Sequence, residues 1–229
     1  MTSGGREALK WLALVLMTGD HLNKTVLGGQ FQGLTDAARV VFPIFALVLA
    51  YNLVRPGAIV PAFNRLAIAA AIVQPFHAWT FGYALPLNVL ATFAVAVAMM
   101  ALWLADRRIL ALVVGLVASP WVDYGPAGVA LTFATWLWLR GEGRALPAAL
   151  AALAGICVYN GNGWALLALP LIWILGRIPA DLPRWRWAFL GYYVGHLVVL
   201  ATISGGMDVA GNLADPAGYG AGGTRPVDQ

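Results

Sequence analysis

The chain has 229 residues, of which 61% are hydrophobic and only 10% charged, against about 25% charged in a soluble domain. With a mean hydropathy of +0.77, this excludes a soluble protein carrying one anchor and implies an integral membrane protein. The net charge of +4 does not mark a nucleic-acid surface, because the basic residues are scattered between apolar runs, and the single Cys157 excludes an intramolecular disulfide and a cysteine-based zinc cage.

Nine apolar runs of near membrane-crossing length follow one another, at 9–27, 38–54, 65–82, 87–105, 109–122, 126–139, 145–160, 164–177 and 187–204. The predicted fold is all-α, a polytopic bundle over 1–204 of about nine membrane helices, eight to ten once the short fifth, sixth and eighth runs are allowed for. The first run, LKWLALVLMTGDHLNKTVL, is too long for a signal peptide and no small-residue cleavage site follows it, so it is expected to stay in the mature protein. Asp20 and His21 sit inside it, and an ionisable residue at such a position is costly and marks a functional site by default. Lys10 lies 11 positions before His21; at about 100° per residue the two share one helix face, about 16 Å apart along the axis. Pro43, Pro75 and Pro170 fall inside later runs, where neighbouring helices can satisfy the freed carbonyls. The segment 205–229 is Gly-rich and polar and is expected to form a flexible extension.

The connectors carry a topological signal. With a cytoplasmic N-terminus, eleven basic residues fall on the inner side (Arg6, Lys10, Arg55, Arg65, Arg107, Arg108, Arg140, Arg144, Arg177, Arg184 and Arg186) and three on the outer (Lys24, Arg39 and Arg225). That asymmetry is what the positive-inside rule expects. On this map His21 and His196 reach comparable depth, Arg39 sits near the outer end of the second helix, Asn52 and Arg55 lie at its inner end, and Asn88 opens the fourth. Each has a plain structural alternative: Arg39 snorkelling to headgroups, Asn88 capping its helix, His77 a satisfied structural histidine, Tyr192 and Tyr193 packing beside His196. Tryptophans such as Trp121, Trp185 and Trp187 fit interfacial belts.

The chemistry narrows by elimination. Three histidines on three helices lack a metal-ligand spacing, no P-loop is present, and no GxSxG places a serine nucleophile. What remains is a histidine able to act as a base, an adjacent carboxylate able to orient it, and basic residues able to hold an anion. Acyl transfer from a thioester fits that set.

Six segments then resemble, in order, those of the TraX family: LKWLALVLMTGDHLNK, ARVVFPIFALVLAYNLVR, FNRLAIAAAIVQPF, LNVLATFAVAVA, DYGPAGVALTF and YYVGHLVVL. The resemblance covers most of 8–204, is weakest over about 140–190, and extends to the TrbP-like proteins of other conjugative plasmids. The family is similar to the wider transmembrane acyltransferases, whose signature is a basic residue, ten intervening positions and a histidine; Lys10 and His21 fit it. What the resemblance implies is an enzyme of the bacterial inner membrane, multi-pass, that moves an acetyl group from acetyl-CoA to the N-terminus of a pilin subunit in a conjugation system. His21 would be the base, with Asp20, Lys10 and His196 as further catalytic residues, and no metal. His196 stands in a Tyr-x-x-His-Leu pattern, with Val194-Gly195 where wider relatives often carry Tyr-Pro. Lys10, Arg55, Arg65, Arg107 and Arg108 are expected near the CoA phosphates, Asn52 among the substrate- or cofactor-binding residues, and Arg39 or Asn88 at the oxyanion. Pilin and membrane lipids are the expected partners, and nucleic acid is not. Alternatives that stay open are pilin maturation by head-to-tail cyclisation and a non-enzymatic transporter or assembly factor.

Overall fold

The structure is a computed structural model that describes residues 1–179 and 188–214. Among these, ten α-helices form: α1 (Ser3–Thr25), α2 (Gln32–Ala38), α3 (Val41–Leu53), α4 (Ile59–Phe81), α5 (Val89–Leu104), α6 (Arg108–Ala118), α7 (Gly125–Leu139), α8 (Ala145–Asn160), α9 (Ala168–Leu175) and α10 (Ala188–Ala214). Two 3-10 turns, Ser119–Trp121 and Trp164–Leu167, extend α6 and lead into α9. Because α2 and α3 are separated only by Arg39 and Val40, the described residues form nine helical segments in the order the apolar runs predict. The only β-pairing among them is an isolated parallel bridge, Leu87 to Val122.

Two segments, Gln32–Leu53 and Ile59–Phe81, are long and apolar enough to cross a membrane by length and composition, and the other apolar helices have 10–17 residues. At about 1.5 Å per residue, sixteen residues span roughly 24 Å, short of a hydrocarbon core of about 30 Å. The α10 helix runs on to Ala214, into the segment read from sequence as an extension. Residues 215–229, with Arg184, Trp185, Arg186, Trp187 and Arg225, lie outside the described residues.

Proline explains the break between α2 and α3. Pro43 has no N–H to offer the carbonyl four residues back, and its ring crowds that carbonyl, which belongs to Arg39. The chain turns at Arg39–Val40 and Pro43 falls in the first turn of α3. Pro170 likewise occupies the first turn of α9, and Pro75 alone lies within a helix interior, that of α4. The kink at Arg39 sets this cation against the C-terminal end of α8.

The start of α1 is fixed. Thr2 caps it by accepting from Gly5 N–H at 3.0 Å, and the Thr2 N–H donates to the Gly176 carbonyl at 2.9 Å. Gly5 packs so closely there that a Cβ would lie 2.6 Å from that carbonyl. Its other end is tied by Asn23, fully buried, which donates to the Phe31 carbonyl and the Thr35 hydroxyl and accepts from Phe31 N–H, each at 3.1 Å. The α1 helix is thereby clamped against α2, α3, α9 and α10. Phe42 carries the middle of the bundle, stacked on Phe93 (5.2 Å) and Tyr124 (4.1 Å). Trp136, fully buried, satisfies its indole N–H on the Leu53 carbonyl at 3.2 Å.

Candidate functional site

A cavity of about 750 Å³ runs along α1, walled by α3, α4, the start of α5 and the connector before α7. One end is lined by Lys10, Asn52 and Arg65, the other by Asp20, His21, Arg39, His77, Asp123 and four tyrosines. Between them the wall is apolar, with Leu14, Met17, Phe45, Val48 and Leu66. Lys10 and His21 both face this cavity, as their shared register predicts.

His21 meets His196 of α10: Nδ1 of His21 lies 2.9 Å from Nε2 of His196, and the rings are within 11° of parallel. The tautomers follow from the next contact. Nδ1 of His196 lies 3.0 Å from the Tyr192 carbonyl, which can only accept, so His196 donates there and accepts at Nε2. His21 must then donate through Nδ1, which leaves the Nε2 lone pair uncommitted. Phe81 packs edge-on against the His21 ring at 5.1 Å. The sequence brought both histidines to one depth; the structure pairs them.

Asp20 takes a different role from the one expected. Adjacent helix positions point about 100° apart, so its carboxylate does not follow the imidazole; Oδ2 accepts from Lys24 at 2.7 Å, one turn on, while Oδ1 is buried without a partner. The group that orients His21 is His196. Lys10 holds a similar local pair, 2.7 Å from Glu7, which is buried. Arg39 donates to Asn160 Oδ1 at 3.1 Å and keeps a buried, unpartnered Nε. Asn52 accepts from Arg6 at 3.3 Å, and Arg65 is exposed at the cavity mouth.

Four expected ligands lie elsewhere. Asn88 is fully buried outside this cavity and spends its side chain on structure: it accepts from Leu90 N–H at 3.1 Å and donates to the Ala70 carbonyl and Gln74 Oε1 at 2.9 and 2.8 Å. It has no donor left for an oxyanion. Arg108 pairs with Asp106 at 3.4 Å and lies over Trp103, and neither it nor the exposed Arg55 and Arg107 line the cavity. Counting charges on one side of a membrane does not separate the mouth of a cavity from the rim of the bundle. His77 does line it, buried, with Nδ1 unpartnered and Tyr83 at 5.5 Å.

Sequence reasoning passed over Asp123, Tyr83, Tyr124 and Tyr159, all in the cavity wall. Asp123 sits in the connector before α7. Burial pushes its carboxyl up to about 6, against the opposing pull of the Tyr124 N–H, Lys24 and Arg39. Burial also raises the Tyr83 phenol, helped by the charge of Asp123. The signal was the segment DYGPAGVALTF: an acidic residue next to Tyr, Gly and Pro in an otherwise apolar protein.

The family model described as TraX protein matches residues 5–204. Protein TraX of Escherichia coli is 31% identical over 225 residues, an alignment that covers 88% of each chain. No solved structure matches this one. A match across the bundle and its cavity, at that identity and coverage, shows that the chain belongs to the TraX family.

Proposed function

We propose that this protein is a pilin-maturation enzyme of a conjugation system that transfers an acetyl group from acetyl-CoA to the N-terminal amine of a pilin, in the bacterial inner membrane. The observation that carries it is the uncommitted Nε2 of His21, fixed by His196 within a cavity of small-molecule size. The residues fit the donor: Lys10 and Arg65 stand at one mouth for phosphate oxygens, and the apolar middle suits an extended thioester arm. The donor supplies an acyl carbon activated as a thioester. His21 Nε2 accepts a proton from the attacking amine as the N–C bond forms, and returns it to sulfur as the C–S bond breaks. His196 accepts from His21 Nδ1–H throughout and steadies the charge that His21 gains. Arg39, with an unused Nε, is the cation available to the oxyanion.

The test is intact mass of the plasmid's own pilin, co-expressed with the protein or with His21→Ala at matched membrane abundance. The expected result is a gain of one acetyl group, lost in the variant. Loss of water instead would assign cyclisation, and an unchanged pilin mass would sink the transfer reading.

A further inference from the structure

We propose that Asp123, with Tyr83, Tyr124 and Tyr159, forms a recognition site for the primary ammonium of a peptide N-terminus. Its identity as the acceptor amine rests on the acetyl-transfer reading; the recognition itself does not.

The carboxylate is presented by a rigid connector. Leu87 N–H donates to the Trp121 carbonyl and Asp123 N–H to the Leu87 carbonyl, both at 2.8 Å, and the Thr92 hydroxyl donates to the Asp123 carbonyl. One carboxylate oxygen, Oδ1, accepts from Tyr124 N–H at 2.9 Å, so the side chain is aimed by the backbone that follows it. Tyr124 stands at φ 58, a left-handed conformation that costs a tyrosine energy and clusters at functional sites. Its ring is held between Phe42 at 4.1 Å and Tyr159 at 5.6 Å. A carboxylate bordered by aromatic faces favours a compact cation over water.

A second observation points the same way. Asp20, only 9% exposed and lining the same end of the cavity, has Oδ1 without a partner, and its charge is felt by Tyr124. Arg39 Nε, in the same cavity wall, is likewise buried and unpartnered. A peptide N-terminus offers the complement, an ammonium for the carboxylates. A bound ammonium has no lone pair. One proton is released to solvent to give the neutral amine, and the second passes to His21 as the N–C bond forms.

The experiment uses the full chain in phosphatidylcholine nanodiscs without donor, titrated calorimetrically with a short Gly-Ala peptide bearing a free N-terminal amine and with the same peptide N-formylated. The free amine is expected to bind about tenfold more tightly, and Asp123→Asn to erase that preference. Tyr159→Leu, at a ring that is 55% exposed, should reduce it several-fold and serves if Asp123→Asn does not fold. Equal affinity for the two peptides, or a preference that survives the folded variants, overturns the site. Loss of peptide binding when phosphatidylethanolamine replaces phosphatidylcholine assigns the pocket to a lipid headgroup and overturns the peptide assignment. Amine preference with no mass gain on the pilin would strike the transfer reading and leave this site standing.

Discussion

His21 and His196 are expected to fail in different ways. Removing the base costs the proton transfer itself, typically about 10²- to 10⁴-fold, so His21→Ala should lower the initial rate of pilin mass gain by that order. His196 acts through His21 as a positioning residue. His196→Ala should cost less, about tenfold to a hundredfold, and His196→Gln, which restores an acceptor for His21 Nδ1–H, should recover part of it. A structural role would show no such rescue. Asp123 carries a separate signature. Its carboxyl is raised from 3.8 to about 6 in the fold, so between those values the folded protein holds a proton that the unfolded chain releases. The stability this lends is full below about 3.8 and is lost as pH rises towards 6. The groups that face it are Tyr83, Tyr124, Tyr159 and Tyr193, with Lys24 and Arg39 opposing. Thermal unfolding of the detergent-solubilised protein should therefore show a midpoint that falls between pH 4 and 6 by an amount worth on the order of 2 kcal/mol, and Asp123→Asn should flatten it. The register of Lys10 and His21 was legible because it depends on one helix. The pairing of His21 with His196, 175 residues apart, was not, because it depends on which helices pack together. Asp20 was misassigned for a local reason: the Lys24 partner one turn on was visible in the sequence, and such i,i+4 pairs are favoured.

At the scale of elements, helix order follows from hydropathy, whereas helix ends do not. The α1 helix starts at Ser3, before the apolar run at 9, because Thr2 caps it and Gly5 lets it close on α9; neither contact has a hydropathy signal. Pro43 was readable as a disturbance, but its effect, a turn that places Arg39 beside Asn160, required the tertiary structure. Asn88 was balanced in the sequence between cap and ligand, and the fold decides for the cap. Asn88→Ala would remove an N-cap worth about 1 kcal/mol and the side-chain bond to the buried Ala70 carbonyl, while Gln74 Oε1 keeps the backbone N–H of position 88. A total destabilisation of about 2 kcal/mol is expected, read as a lower unfolding midpoint. Because Asn88 does not line the main cavity, CoA affinity at a temperature where the variant is folded should be unchanged. A selective loss of CoA binding would return Asn88 to the site.

For the whole molecule, the cavity joins two chemically different ends, and their sidedness is the prediction that tests the proposed reaction most broadly. Lys10, Asn52 and Arg65 gather where α1 and α4 begin and α3 ends, while His21, Tyr83 and Asp123 gather at the opposite ends. An acyl donor made in the cytosol and an acceptor presented outside require those ends to face opposite sides. The eleven-to-three distribution of basic residues predicts the direction, with Lys10 on the inner side. Single cysteines in a Cys157→Ser background would read it. Gly28 and Leu85 are exposed at the His21 end, Asp106 and Gly141 in connectors of the opposite class. A membrane-impermeant maleimide added to cells with a permeabilised outer membrane but an intact inner membrane should label Gly28→Cys and Leu85→Cys at once. Asp106→Cys and Gly141→Cys should react only after the inner membrane is opened. Labelling of all four from one side would mean that the chain lies on the membrane without crossing it at these helices, and a vectorial transfer would be impossible. The inverted pattern would put the cationic mouth outside, away from any cytosolic thioester, and would remove acetyl-CoA as the donor.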